Sequence, residues 1–155
     1  MSEENKALPE ISTPPPALKR LERLVGKWTM TGRSIGSDKD NITGTANFEW
    51  LPGGYFLKND GNIEVDGFKF WSMEIIGYDP ATDAFTSHVY SSMESQVRVY
   101  HWDFQGDTLT HWEETSKYTG TISPDGKTIA GGWRPLEGHE SNEGNTYDAL
   151  MTRTE

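Results

Sequence analysis

The stretch that decides the fold is Gly26-Lys27-Trp28-Thr29-Met30-Thr31-Gly32, which follows a short amphipathic segment. A Trp early in a first strand, between glycines that let neighbouring chain segments approach closely, is a common opening and plug of a closed antiparallel barrel. No second helical pattern follows it. A small barrel of this kind either fills its lumen with side chains or holds one small ligand there.

The segment before this stretch predicts one helix preceded by a tail. Residues 1–13 are polar and lead into three prolines, so we expect a flexible tail there and a single domain over residues 14–155. The apolar residues that follow share one helical stripe: Leu18, Leu21, Leu24 and Val25. Gly26 is a suitable stop for this helix. Its apolar stripe must be covered, and the open end of a barrel is the expected partner.

The rest of the chain alternates strand patterns with turns. Ten strands are predicted, at residues 27–35, 43–51, 55–64, 68–78, 84–92, 95–105, 108–115, 117–122, 127–134 and 145–153. Hairpin signals such as Asp66-Gly67 and Gly106-Asp107 separate them. Short strands at this spacing predict a mainly β fold: a closed up-and-down antiparallel barrel of about ten strands with one short N-terminal helix.

Composition narrows the classes of function. The net charge of −10 argues against a nucleic-acid or membrane partner, because such binding depends on Lys and Arg. The sequence has no Cys, no apolar run long enough to span a bilayer and no recognisable export signal, so a cytoplasmic location is expected. Six Trp, six Tyr and six Phe compensate for a lean aliphatic core.

Pairing the hairpins assigns the central side chains to two faces. The turns place Tyr78 opposite Phe85, Val89 opposite Arg98, and Trp102 opposite His111. The first face then carries Phe70, Glu74, Ile76, Tyr78, Val89, Arg98, Tyr100, Trp102, His111 and Glu113. The second carries Trp71, Met73, Ile75, His88, Tyr90, Val97, Val99, His101 and Trp112. We expect the first face to line the lumen, because aromatic walls with a few ionisable groups are typical of small-molecule sites.

Seven residues of the first face are the candidate ligand-binding residues: Glu74, Tyr78, Arg98, Tyr100, Trp102, His111 and Glu113. Glu74 and Arg98 are expected within reach of each other, either as a structural ion pair or as groups that orient a ligand. His111 with Glu113 and Tyr100 has the residue types for acid–base chemistry, and the alternative is a polar cluster in a wet cavity. No catalytic residue is assigned.

The sequence lacks the motifs of a nucleophile elbow, a phosphate loop, a dinucleotide fold or a zinc protease. His88, His101 and Asp103 share one face of adjacent predicted strands, and two His with a carboxylate are potential metal ligands. Nothing else in their spacing is specific to a metal site. We therefore expect neither a metal ion nor a cofactor.

Five motifs of this chain resemble the bacterial family of unknown function DUF1579, within the calycin (lipocalin-like) group: Leu24-Val25-Gly26-Lys27-Trp28, Phe48-Glu49-Trp50-Leu51-Pro52-Gly53-Gly54, Glu74-Ile75-Ile76-Gly77-Tyr78-Asp79-Pro80, Lys117-Tyr118-Thr119-Gly120-Thr121 and Gly131-Gly132-Trp133-Arg134-Pro135. The resemblance implies a barrel but no agreed activity. The Gly-x-Trp opening is also similar to nitrobindin-type haem barrels, whose iron ligand is a His in a late strand. The last strand here, Thr146 to Met151, contains no His, so that resemblance does not extend to the ligand.

The expected function is the binding of a small, largely apolar or aromatic molecule in the lumen. Two alternatives stay open at this point. The first is an enzyme of the cyclase or isomerase type in which His111, Glu74 or Tyr100 moves protons on a bulky metabolite. The second is a self-associating structural barrel with a filled core, and a homodimer is left open as a partner.

Overall fold

The computed structural model describes residues 13–140 and 146–155, in which one helix leads into ten strands. The strands are β1 (Gly26–Ser34), β2 (Ile42–Trp50), β3 (Leu57–Val65), β4 (Phe68–Asp79), β5 (Ala84–Ser91), β6 (Glu94–Gln105), β7 (Thr108–Trp112), β8 (Ser116–Ile122), β9 (Thr128–Pro135) and β10 (Tyr147–Arg153). All but the last residue of the predicted flexible tail, together with residues 141–145 before β10, lies outside the described residues.

The strands form a closed antiparallel barrel in which each strand pairs with its neighbours in sequence and β1 pairs with β10. Closure places Trp28 of β1 opposite Arg153 of β10. The predicted hairpin registers are confirmed, including Val89 opposite Arg98 and Trp102 opposite His111. Continued by one more pair, the predicted β6–β7 register would place Tyr100 opposite Glu113. The observed ladder ends before that pair, at His101–Trp112.

The first predicted face points into the barrel. Glu74, Ile76 and Trp102 are buried on it. The second face points outward, and its Trp71 and Val99 remain 39% and 48% exposed. The strand alternation inferred from the turns is therefore correct in direction as well as in register.

The predicted N-terminal helix is present at Pro16–Leu24 and is a 3₁₀ helix. Its first and last bonds each span three residues: Leu18 N–H donates to the Pro15 carbonyl and Val25 N–H to the Glu22 carbonyl. A 3₁₀ helix has three residues per turn, so leucines spaced by three form one straight row. Leu18, Leu21 and Leu24 are all buried by it.

The helix closes one end of the barrel, as expected. Its leucines join a core cluster with Trp28, Phe85 and other side chains of the surrounding strands. Arg20 bonds Asp83 and Arg23 bonds Asp107 at 2.8 Å each, which ties the helix to two hairpin loops at this end. We call this half of the lumen the closed half, and the opposite half the open half. Neither this helix nor any other in the described chain is long and apolar enough to cross a membrane.

Candidate functional site

The chemistry of the open half centres on the carboxylate of Glu74, which is 6% exposed. Its Oε2 accepts hydrogen bonds from Ser87 Oγ at 2.5 Å and from Trp102 Nε1 at 2.9 Å. His111 Nε2 lies 3.2 Å from the same oxygen. The four side chains come from β4, β5, β6 and β7, so consecutive strands deliver one polar cluster to the inner wall.

Two opposing effects act on the pKa of Glu74. Burial raises it, because desolvation disfavours the charged form. Electrostatic attraction to His111 and the hydrogen bonds from His111, Ser87 and Trp102 lower it, and together they hold the pKa below its ordinary value. Glu74 is therefore a carboxylate at neutral pH.

The carboxylate fixes the orientation of His111. An imidazole nitrogen facing a carboxylate carries its proton there, so Nε2 of His111 is the N–H that donates to Glu74. The ring is held flat against Trp102, with centroids 3.7 Å apart and planes inclined by 19°. Nδ1 has no hydrogen-bond partner within the described residues and is the nitrogen left to meet a ligand.

An aromatic wall continues from His111 around one side of the lumen. The rings of Tyr100 and Trp133 lie 5.0 Å and 5.4 Å from the His111 ring. Tyr118 packs against Trp133 at 5.8 Å. Tyr147 stands opposite Trp133 in the ladder between β10 and β9. The wall thus spans β6 to β10, and its members are Tyr100, His111, Tyr118, Trp133 and Tyr147.

The opposite wall is built from small residues. Gly44 and Ala46 of β2, Gly61 of β3 and Ser72 of β4 occupy its inward positions, and Gly61 is paired with both Ala46 and Ser72. Strand β3 lies five strands from β8 around the ring in either direction, so Gly61 faces the aromatic wall. These four positions add little bulk, and the larger inward side chains of this wall, Ile63 and Phe70, follow nearer the open end.

Two buried polar atoms of this lumen have no hydrogen-bond partner within the described residues: the Tyr118 hydroxyl and Asn59 Oδ1. Tyr118 is 8% exposed, and its ring lies over Gly120, where a Cβ would approach its hydroxyl to 2.7 Å. Asn59 is the ladder partner of Glu74. Unpaired buried polar atoms cost free energy, so proteins rarely leave them without a purpose.

The three tyrosines of the aromatic wall remain neutral hydroxyls at physiological pH. Burial raises the pKa of Tyr147 to about 12 despite a hydrogen bond with Trp133. Burial also raises the pKa of Tyr118, and with the negative charges of Glu113 and Glu74 it raises that of Tyr100. The wall consequently offers neutral donors beside the buried carboxylates of Glu74 and Glu113.

The sequence matches the family described as "Protein of unknown function (DUF1579)" over residues 13–134. The chain belongs to this family. No curated protein matches it. Its fold is similar to that in the crystal structure of Rv2717c from M. tuberculosis, with a TM-score of 0.61 and 13% identity over 92% of this chain and 99% of that one. At this identity the likeness shows the fold alone.

In this DUF1579 protein, four of the seven predicted ligand-binding residues meet in the open half: Glu74, Tyr100, Trp102 and His111. Tyr78 lies elsewhere, at the closed end, where its hydroxyl donates to Asp83 at 2.6 Å. The sequence suggested that Arg98 lies within reach of Glu74, but the two side chains do not pair. Its guanidinium makes two bonds to Glu94, at 2.7 Å and 2.9 Å, and is largely exposed.

Glu113 is buried but occupied with the turn between β7 and β8. Its carboxylate accepts bonds from the Thr115 backbone N–H and hydroxyl. The carboxylate that orients His111 is Glu74, three strands away, and not Glu113 as predicted. The acid–base trio of His111, Glu113 and Tyr100 is therefore corrected to a pair, His111 with Glu74.

Sequence reasoning missed Ser87, Asn59, Tyr118 and Tyr147 as residues of the site. Inward strand alternation around Trp133 and Glu74 was the signal that would have found them. Within residues 13–140 and 146–155, no three His, Asp or Glu side chains are grouped as a metal site would require. His88, His101 and Asp103 accordingly make no metal cluster there.

Proposed function

We propose that this DUF1579 protein binds a small, largely aromatic or apolar molecule in the open half of its barrel. The observation that carries the proposal is the buried, unpartnered Tyr118 hydroxyl within an aromatic wall. An apolar cavity with a few convergent polar groups is the usual form of a small-molecule site. At the closed end the helix leucines pack against Trp28 and Phe85, which leaves less room there for a ligand.

The polar groups narrow the chemistry of the ligand. Asn59 Oδ1 accepts a hydrogen bond, the Tyr118 hydroxyl donates or accepts one, and Glu74 contributes a buried negative charge. A planar molecule that is neutral and carries a donor group complements this set. An anionic ligand would meet both Glu74 and the net charge of −10.

Binding of the neutral fluorophore N-phenyl-1-naphthylamine tests the proposal. It is aromatic and has one N–H donor, so we expect a saturable rise in its fluorescence at one probe per chain. The anionic 8-anilinonaphthalene-1-sulfonate should bind more weakly. Native mass spectrometry of freshly purified protein, with its visible spectrum, then looks for a co-purified molecule in the same mass range.

The matched variants are Tyr118→Phe and Tyr78→Phe. Y118F removes the unpartnered hydroxyl, so its free energy of unfolding should be unchanged or raised by up to about 1 kcal/mol. Its affinity for N-phenyl-1-naphthylamine should fall about tenfold, the equivalent of one hydrogen bond. Y78F changes the closed end and should leave the affinity as it was. The proposal would be wrong if this probe showed no saturable binding and no member of a compound library raised the melting temperature.

A second candidate, proton-transfer catalysis, is favoured by one observation: His111 is oriented by Glu74 and has Nδ1 free of other partners within the described chain. Nucleophilic catalysis does not fit. In a Ser-His-acid triad the His lies between the other two, whereas here Glu74 lies between Ser87 and His111. Turnover of a candidate substrate that survives unchanged in His111→Gln would remove the catalytic role.

A further inference from the structure

The outer surface of the barrel is divided into two chemically different parts. On β1, β2, β8 and β10 the outward positions are dominated by threonine, with Thr29, Thr31, Thr43, Thr45, Thr119, Thr121 and Thr152 all exposed. Threonine suits a strand that faces water, because it combines β propensity with a hydroxyl. The outer surface of these four strands is typical of a sheet that faces solvent, and Leu150 is an exposed apolar residue within it.

The second part, which we call the apolar face, covers the outward positions of β4, β5 and β6. Its residues are Trp71, Met73, Ile75, His88, Tyr90, Val97, Val99 and His101. They are contiguous, because Met73 pairs with Tyr90, Ile75 with His88 and His88 with Val99. Trp71, Tyr90, Val97 and Val99 are 39–48% exposed, and Met93 and Phe68 add still more exposed apolar surface at the adjoining turns.

Charged groups are missing from the centre of this face. No outward Asp, Glu, Lys or Arg occurs between Lys69 and Asp79 on β4, anywhere on β5, or from Val97 to His101 on β6. A quarter of all residues in the chain are charged, and what separates this face from the equally uncharged centre of the threonine surface is its apolar side chains. Depletion of charge with enrichment in Trp, Tyr and Met is the compositional mark of an interface core.

We propose that the apolar face is the contact surface of a symmetric homodimer. The closed barrel of the described strands has no unpaired strand edge, so two copies do not associate by pairing edges, and a two-fold contact uses the same patch on both. Each molecule carries a net charge of −10, and two copies repel each other wherever charges meet. The centre of the apolar face carries no charged side chain, so a contact there brings apolar groups together without opposing like charges.

The size of the face fits a dimer. Its large side chains, taken at their exposed fractions, present on the order of 500 Å² of apolar surface. A stable dimer buries about 800 Å² per partner, and about 65% of a homodimer interface is non-polar. The apolar face supplies that non-polar share, and the polar remainder of the interface falls on its rim.

Analytical ultracentrifugation of the full-length chain tests the proposal with Val99→Lys and Thr31→Lys. Both variants place one lysine at an exposed outward strand position, so both are expected to fold. Thr31 lies on β1, five strands from β6 in either direction, and is the matched control on the threonine surface. We expect the wild type and T31K to sediment as dimers of twice 17.4 kDa, and V99K as a monomer.

The expected loss in V99K is at least about a hundredfold in the dimer dissociation constant, since two uncompensated charges enter the contact. A wild type that is monomeric at every concentration up to its solubility limit would overturn the proposal and leave the face to a different partner. A dimer that T31K dissociates and V99K does not would also overturn it. V99K should also bind N-phenyl-1-naphthylamine as tightly as the wild type, because Val99 lies on the outer face and the probe binds in the lumen.

Discussion

At the scale of single residues, Glu74 is the most constrained group in the molecule. It is a buried charge that three donors compensate, and it holds His111 in one orientation. A buried carboxylate whose pKa is lowered on folding stabilises the folded state at pH values above the pKa of the unfolded chain. That stabilisation is lost as the pH falls through the lower, folded value.

Glu74→Gln should separate this effect from the rest of acid unfolding. We expect E74Q to lower the free energy of unfolding at pH 7 by about 1–3 kcal/mol, because a charge-assisted network becomes a neutral one. Its stability should then fall less steeply than that of the wild type below about pH 4.5. Urea unfolding between pH 3 and 7 measures both, with the exposed Glu114→Gln as control. Parallel curves for E74Q and wild type would contradict the role given to Glu74.

The contact between Glu74 and His111 shows why the site was only partly predictable. Ladder registers follow from turn residues, and they correctly placed both side chains on one face. The two strands are three places apart in the ring, however, and neighbour-by-neighbour pairing treats the sheet as flat. Curvature brings the side chains together across the inside, and this could not be read from pairing alone. The register also placed Arg98 two strands from Glu74, but register does not decide between partners, and the Arg98 guanidinium bonds Glu94 on its own strand.

At the scale of elements, the strands followed closely from the sequence because their turns carry strong local signals. Gly106 has a positive φ of 61°, as the predicted hairpin at Gly106-Asp107 requires. The prediction located the helix correctly and did not specify its type. Leucines at a spacing of three fit both an α-helical stripe and a 3₁₀ row, and only the hydrogen bonds decide between them.

The helix stabilises the closed half without contributing to the proposed site. Leu21→Ala removes a side chain that is fully buried and should lower the free energy of unfolding by about 2–5 kcal/mol. The exposed Lys19→Ala, two residues away, should change it by less than about 0.5 kcal/mol. Thermal melting gives the stabilities, and a titration with N-phenyl-1-naphthylamine gives the affinity. If folded L21A lost its affinity for the probe, the ligand site would have to include the closed half.

At the scale of the whole molecule, charge controls association. Two copies with a net charge of −10 repel each other at low salt, and the proposed contact contains no ion pairs at its centre. Raising the salt concentration from 0.01 M to 0.5 M shortens the Debye length from about 30 Å to below 10 Å. The dimer should therefore tighten with added NaCl in sedimentation equilibrium. An interface built from salt bridges would weaken instead, and that result would count against the apolar face.

Closure of the barrel also has a kinetic consequence. Hydrogen bonds between β1 and β10 join Trp28 to Arg153, so the first strand obtains its second neighbour only when almost the entire chain is available. Contacts so distant in sequence form slowly, since the intervening loop must first be ordered. During synthesis β1 therefore waits with an open edge, the state in which strands are most liable to pair with the wrong chain. Once β10 pairs with β1, that edge is covered, and the Arg153 guanidinium lies 4.2 Å from the centre of the Trp28 ring.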